Sequence, residues 1–480
     1  MVSDKCGVFV SASASSGGIG TKKRPFKSFA EVAANRSKRR VYACAEAYDE
    51  RSGIVFTGDV EVYGGFTECD GEWSWSEERA TLTVTAAEEQ AGTPNTIALM
   101  LDGGDNRLQN LNVIANGATA QGSSSIALLV NGGKVELFSS DLTAGKAGNG
   151  DPGTSPSDEQ APSGISGIQG EAACAGGTRH DGPEGAVTQC PVGGNSTGGR
   201  GGAGGTASED DNEMVVLGPS GKGGAGTPPY DTSGGSGGNG QPSPTGACEA
   251  GKQGALGEEA DPIVRPTGRG TIDATGFTGV NGANGTPGKP GQGGGGGGGA
   301  MGGTGSCSTG TNPVPLPGAS GGSGGSGGCG GEAGGGGQAG GSSIALVILD
   351  AEVSFNNVTL TAGDAGNGGQ GGNGQRGGSG GPGGAIGGNK GSADSSCEGG
   401  RGGNGSDGRP GDGGHGGHSL GVAFKGSSAL EGPLPSFALG KAGGGGQGGT
   451  LPSDGEGGED GLSEECWNFD TGMACLQPGQ

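Results

Sequence analysis

SSIALVILDAEVSFNNVTLTAGDAGNG, residues 342–368, decides the architecture, because the chain contains it twice. Residues 124–150 read SSIALLVNGGKVELFSSDLTAGKAGNG, and 14 of the 27 positions are identical at an offset of 218 with no gap. Two fainter copies accompany them. TIALMLDGGDNRLQNLNVIAN (96–116) lies 29 residues ahead of the 124–150 copy in register, and SLGVAFKGSSALEGPLPSFALGKAG (419–443) aligns with one inserted residue. Each copy opens with an apolar run (Ile126, Leu128, Val130; Ile344, Leu346, Ile348). It then turns through polar or Gly residues and alternates apolar with polar (Val135, Leu137, Leu142; Val353, Phe355, Val358, Leu360). Period-two spacing between turn residues is the mark of strands. A unit of this size with several short strands buries its apolar face only by stacking on its neighbours. The expected fold is therefore all-β, a right-handed parallel β-helix solenoid. An antiparallel sandwich explains the strands, but its neighbours need no repeat of fixed register.

Composition limits what else is present. Glycine supplies 126 of 480 residues and only 29% are hydrophobic, so thin apolar layers inside coils are feasible and one large globular core is not. The net charge of −23 repels phosphate backbones and anionic bilayers, which disfavours nucleic acid and membrane partners and leaves room for divalent cations. No apolar run approaches the length of a membrane span. The basic residues collect near the start, in Lys22, Lys23, Arg24, Lys27 and the run RSKRR at 36–40. That cluster reads as a solvated face balancing the acidic body, with a heparin-type patch or a nuclear-localisation signal as alternatives.

Eleven cysteines are scattered without a CxxC and with few histidines nearby, which argues against zinc. In a loop-rich, core-poor chain they suit disulfides and an oxidising compartment. The sequence-local pairs Cys174–Cys190 and Cys466–Cys475 are the expected bridges, and the odd count leaves one thiol over. Met1–Lys5 has no apolar signal-peptide region, so an exported protein would correspond here to a mature form.

Along the chain, CGVFVSA (6–12) reads as a strand. Ser28 followed by Glu31 makes a capping box for a short helix over SFAEVAA (28–34), expected to cover the open end of the first coil. Trp73 and Trp75 with Phe66 form an aromatic loop, read as packing beside the first coils, with a sugar-stacking platform as the alternative. CGVFVSA, then GTKKRPFKSFAEVAA (20–34), RRVYACAEAY (39–48), VEVYGGF (60–66) and the later SSIAL…LTAGxAGNG lines resemble glycine-rich, PE-PGRS-like exported surface proteins of myxobacteria and their relatives. The resemblance covers roughly 6–150 and 320–445. It implies a pectate-lyase-like parallel β-helix in the N-terminal part, export and a surface or envelope role, and it brings no catalytic residues.

Glycine recurs at every third position from Gly322 to Gly340, from Gly368 to Gly383 and from Gly399 to Gly417, usually with a second glycine in the triplet. Three residues per turn is the period of an extended left-handed helix, and two glycine faces would let neighbouring backbones touch. Polyglycine-II-like helices packed as a further layer on the coils are expected, against the entropy that ordering glycine costs. The organisation read from these features is an N-terminal cap with coils (1–150) and a glycine-rich insertion (151–340). Returning coils with glycine tracts (341–445) and an acidic tail closed by Cys466 and Cys475 (446–480) follow.

Candidates for chemistry are few. GGNGSD at 402–407 matches the start of a calcium-roll repeat and nominates Asn404 and Asp407 as calcium ligands, although Arg409 stands where the repeat wants an apolar residue. His415 and His418 would share one face of a period-three helix but lack a third ligand. Neither a nucleophile elbow nor a phosphate loop has its strand and helix context. Asp102, Asp105 and Arg107 make the one acidic–basic group on a coil turn, and the other copies do not repeat it. The expected function is a non-catalytic extracellular structural or adhesive surface protein, without a cofactor unless calcium, with surface polysaccharide or further copies of itself as partners. A polysaccharide lyase or hydrolase is the alternative, followed by calcium-binding and ice-binding roles; the last would use the Thr81/Thr83 and Thr359/Thr361 pairs.

Overall fold

The computed structural model describes residues 2–85, 95–157, 159–176, 179–209, 215–217, 220–229, 234–307 and 315–475. The fold is all-β: seventeen strands form one continuous sheet, and the only helix among the described residues is Phe29–Asn35. Apart from two short antiparallel additions (Phe66 opposite Trp75, Trp467 opposite Ala474), the strands pair in parallel along three ladders. One ladder runs Gly7–Val10, Arg40–Cys44, Glu61–Thr67, Asp105–Gln109, 134–138, 352–356 and Ala429–Glu431. A second runs Ala47–Glu50, Ala80–Val84, Leu111–Ala115, 141–144, 359–362 and Ser436–Leu439. The third runs Ile54–Thr57, Asn95–Asp102, 124–131, 343–349, Ser419–Lys425 and Ser463–Asn468.

The repeat copies are next-door neighbours in these ladders. Ile97 faces Ile126, Ile126 faces Ile344, and Ile344 faces Leu420, so the offsets of 29 and 218 in sequence are the register of pairing. Parallel in-register pairing stacks like on like. Val8, Val41, Val62, Leu108, Leu137 and Phe355 form one buried column, and Ile54, Leu99, Leu128, Leu346 and Val422 form another. Each such leucine removed from water contributes about 2 kcal/mol. The third ladder is apolar on its outer side as well. Ile126, Leu129, Ile344, Val347 and Leu420 are covered by Ile272 and Phe277 of the hairpin Thr271–Asp273/Gly276–Thr278. A strand buried on both faces reads as an unbroken apolar run, which accounts for SSIALVIL. Between the first two ladders the chain turns at Asn110, Ser139 and Asn357, with φ of 53°, 44° and 53°. This left-handed corner favours Asn and recurs at the repeat offsets.

The helix begins as its sequence indicates: Ser28 Oγ accepts the Glu31 N–H at 3.1 Å, while the Glu31 carboxylate accepts the N–H of Lys27. Phe29 and Val32 are buried against the first strands, with Phe29 edge-on to Tyr48 at 4.9 Å.

The glycine tracts leave the second ladder and re-enter at the third, three times: between Ala144 and Ser343, between Ala362 and Ser419, and between Leu439 and Ser463. They bond laterally to one another at every third residue. Along 147–173 the N–H groups of Ala147, Gly150, Gly153, Gly164, Gly167, Gly170 and Ala173 donate to carbonyls of 364–388 at 2.7–3.0 Å. Successive residues of an inner tract point to different neighbours: the N–H groups of Gly322, Ser323 and Gly324 donate to Cys397, Ile168 and Gly199. The described residues of 151–340 therefore share hydrogen bonds with the tracts after the second strong copy, in one bundle.

Glycine content follows the number of covered sides. In the unbroken run Gly293–Gly299 a Cβ at any position would meet a backbone oxygen at 1.9–2.1 Å, the closest being 1.9 Å at Gly296. Tract 363–388 lies at the surface, and its third positions, Asp364, Asn367, Gln370, Arg376, Pro382 and Ala385, are exposed.

Five disulfides fasten the chain, and Cys6 is free and exposed. Cys466–Cys475 is formed, but the expected Cys174–Cys190 bridge is not: Cys174 bonds Cys307 and Cys190 bonds Cys329. The reason is the extension of the tracts. Cys174 follows Ala173, whereas Cys329 donates its N–H to Pro162. Eleven residues of extended chain separate those levels, about 34 Å at about 3.1 Å per residue. No helix of the described residues is long and apolar enough to cross a membrane, and five disulfides fit an extracellular protein.

Candidate interaction surface

The end of the bundle away from the strands gathers its loops. Ala173 bonds Gly388, Gly205 bonds Ala300, Gln241 bonds Gly299 and Ala300 bonds Ala319, which brings these tract ends to one level. Tract 363–388 spans 26 residues, so at about 3.1 Å per residue this level stands about 80 Å from the strands. Beyond it lie the turn after Cys174, the hairpins Ala207–Glu209/Val215–Leu217 and Gly303–Ser306/Pro315–Leu316, and the loops near 242–248 and 389–396. A small apolar cluster, Ala173, Ala300, Leu316, Ala319 and Ala393, closes the bundle there beside the Cys174–Cys307 disulfide. Cys248–Cys397 ties a further pair of tracts.

A polar recess of about 140 Å³ opens among these loops between Met301, Thr304, Ser392 and Asp394. Its wall is built by Gln241, which is buried; its amide donates to Asp394 and to Gly246 O, and its oxygen accepts the Met301 N–H at 2.9 Å. The sequence reading did not single out Gln241, Ser392 or Asp394. Gln241 meets Met301 and Asp394 across 60 and 153 residues, and no local pattern marks that meeting.

The nominated calcium pair occupies a different position and has a structural occupation. Asn404 Oδ1 accepts the Gly380 N–H at 3.0 Å and Asp407 Oδ1 accepts the Gly377 N–H at 2.8 Å. At the bundle's edge a tract residue has no further backbone to bond, and an Asx side chain three residues apart satisfies the outward N–H groups instead. Asp364, Asn367 and Asn373 do the same for Lys441, Gly444 and Thr450. Among the described residues no group of three His, Cys, Asp or Glu side chains converges.

His415 and His418 do not share an exposed face. His418 is 2% exposed; its Nε2 lies 2.7 Å from Arg269 O and its Nδ1 accepts the Leu462 N–H at 3.0 Å. That pairing describes a neutral imidazole with the proton on Nε2, packed edge-on against Phe277 at 5.3 Å. Burial pushes its pKa down to about 4. It is a rivet joining three segments rather than a ligand.

On the strand stack, Asp102 and Arg107 are taken up by neighbours, while Asp105 is exposed and bonds through its backbone to Asp59 and Arg39. Asp102 accepts from Asn131 at 2.7 Å, Arg107 pairs with Glu136 at 3.1 Å, and Lys134 pairs with Glu352. Arg39 and Arg40 pair with Glu61 in the same manner. These are cross-strand pairs in an outward ladder, with opposite charges on successive strands. The threonine pairs lie on the second ladder beside Asn112 and Asp141, and Asp141 is paired with Arg79, so that face is neither uniform nor uncharged. Trp73 is buried edge-on against Phe9 at 4.8 Å, next to the Cys44–Cys69 disulfide, while Trp75 remains half exposed on Phe66.

Searches for similarity found no match to this chain among protein-family models, curated proteins or solved structures.

Proposed function

We propose that the chain is a non-catalytic extracellular structural or adhesive protein, of the kind seen in the glycine-rich exported surface proteins it resembles. The three ladders, visited in the same cyclic order by each repeat copy, support a right-handed parallel β-helix. The triplet bonding of the tracts supports a polyglycine-II-like bundle. The observation that carries the functional reading is the separation of roles: a stapled bundle sets a cluster of irregular loops about 80 Å from the strand stack. A rigid spacer ending in loops suits presentation to a partner, surface polysaccharide or another copy of the chain, better than it suits turnover. On the stack, Arg107 pairs with Glu136, Lys134 with Glu352 and Arg79 with Asp141, which suits a surface held together by cross-strand pairs.

Incubating the purified protein with pectin, alginate and a panel of other glycans tests this. Retention on a glycan, or self-association, without release of reducing ends or unsaturated products is expected. Turnover of any of them overturns the non-catalytic reading.

A further inference from the structure

A second recess lies in the loop that follows the first strand, Gly7–Val10. It has a volume of about 350 Å³ and is lined by Ser13, Ser15, Ser16, Lys22, Lys23 and Arg24, with Asp70 at its rim. The basic residues of this region divide into two groups. In the 36–40 run, Arg39 and Arg40 pair with Asp59 and Glu61; Arg36 donates to the Thr57 and Asp59 carbonyls and lies over the Phe56 ring, and Lys38 donates to Asp4 O. The 22–24 group is less fully paired, with Asp70 the carboxylate that lines the recess beside it. Among the described residues neither Lys23 nor Arg24 has a carboxylate within ion-pair distance, and Lys22 reaches only the exposed Glu72 at 4.0 Å. Arg24 is held in place by its bond to Gly17 O at 2.8 Å. Two carboxylates at the loop are already engaged: Glu46 accepts from Ser11 and from the N–H and hydroxyl of Ser13, and Asp4 accepts the Lys22 N–H at 2.6 Å.

We propose that this recess binds an anionic polysaccharide, its carboxylate or sulfate groups meeting Lys22, Lys23 and Arg24 and its hydroxyls meeting the serines. With a net charge of −23 the rest of the protein repels such a polymer. Charges beyond about 8–10 Å are screened at physiological salt, so the local cations decide. The recess is concave and lined with hydroxyls, which fits a sugar chain and not the flat face of a bilayer. The site shares no residue with the distal loops, so it would hold the first strands to a matrix while those loops remain available to another partner.

The test uses the full chain on immobilised heparin, polygalacturonate and neutral dextran, with phosphatidylglycerol vesicles alongside. Retention on both polyanions at low salt, loss at high salt and no retention on dextran are expected. Lys22→Ala/Lys23→Ala weakens polyanion binding about ten-fold or more, as the loss of two partly desolvated contacts implies. Arg39→Ala/Arg40→Ala, which removes paired cations, leaves it nearly unchanged. Lys23→Glu, a change at a side chain with no ion pair, gives the same loss and serves if the double variant melts abnormally. Undiminished binding by the Lys22 and Lys23 variants, equal retention on dextran, or binding to vesicles without binding to polysaccharide each overturns the proposal.

Discussion

Gly296→Ala tests the packing of the bundle in its unbroken glycine run. The added Cβ would stand 1.9 Å from Arg200 O, where real Cβ atoms essentially never come within 3.0 Å, so a backbone must move by 3.0 − 1.9 = 1.1 Å. Gly296 donates its N–H to Gly224 O at 2.9 Å and accepts the Gly238 N–H at 2.9 Å, and a displacement of that size takes both beyond bonding distance. Two lateral bonds at about 1 kcal/mol each, with an overpacking cost of about 1–3 kcal/mol, give a loss of about 3–5 kcal/mol. Gly444→Ala is the matched control. Nothing lies closer than 3.7 Å to its Cβ position, and the restricted unfolded chain makes that variant more stable by about 0.4–1 kcal/mol. Thermal and urea unfolding of both variants, with disulfides intact, reads the difference as opposite signs. Equal effects at the two sites would refute the packed bundle, because in a loose tract both glycines are alike.

Further outcomes follow from the same geometry. His418 has an ordinary pKa near 6.5 and a folded value of about 4. It is neutral in both states above 6.5, and the unfolded chain takes the proton first as pH falls. Stability present above pH 6.5 is therefore lost progressively down to about pH 4, by up to about 3 kcal/mol, and His418→Gln removes that part of the pH dependence in unfolding titrations. Asp407→Ala deletes the acceptor of the Gly377 N–H and costs about 1 kcal/mol, whereas Asp407→Asn retains it; neither effect changes when calcium is added to the melt. Leu346→Ala empties a fully buried site in the strand columns and lowers unfolding stability by about 2–5 kcal/mol. Peptide mapping without reduction recovers Cys174 with Cys307 and Cys190 with Cys329, and no peptide linking Cys174 to Cys190.

The strand stack was legible because parallel in-register pairing writes spatial neighbours as repeats. Ile97, Ile126 and Ile344 align in sequence for the same reason that they touch. The helix was legible because Ser28 and Glu31 act over three residues. The triplet glycines announced a period, and the exposed third positions of tract 363–388 follow from it. What stayed hidden is everything settled by how the tracts fold back. Cys174 and Cys190 are close along the chain and far apart along the bundle. Asn404 and Asp407 look like ligands in a short window, yet their spacing of three serves edge N–H groups of another tract. His418 reads as sharing a helix face with His415, but its partners Arg269 and Leu462 lie 149 and 44 residues away. The distal recess has no local signature at all, since Gln241 and Asp394 meet only after the turns have closed.

Amide hydrogen exchange resolved along 282–300, 318–342, 366–388 and 399–417 tests the central claim most directly. A laterally bonded bundle predicts that N–H groups such as those of Gly294, Gly296, Gly322 and Gly381 remain protected for hours, comparable with the strand amides of 126–130 and 344–348. Complete exchange of those tracts within seconds, while the strands stay protected, would contradict it.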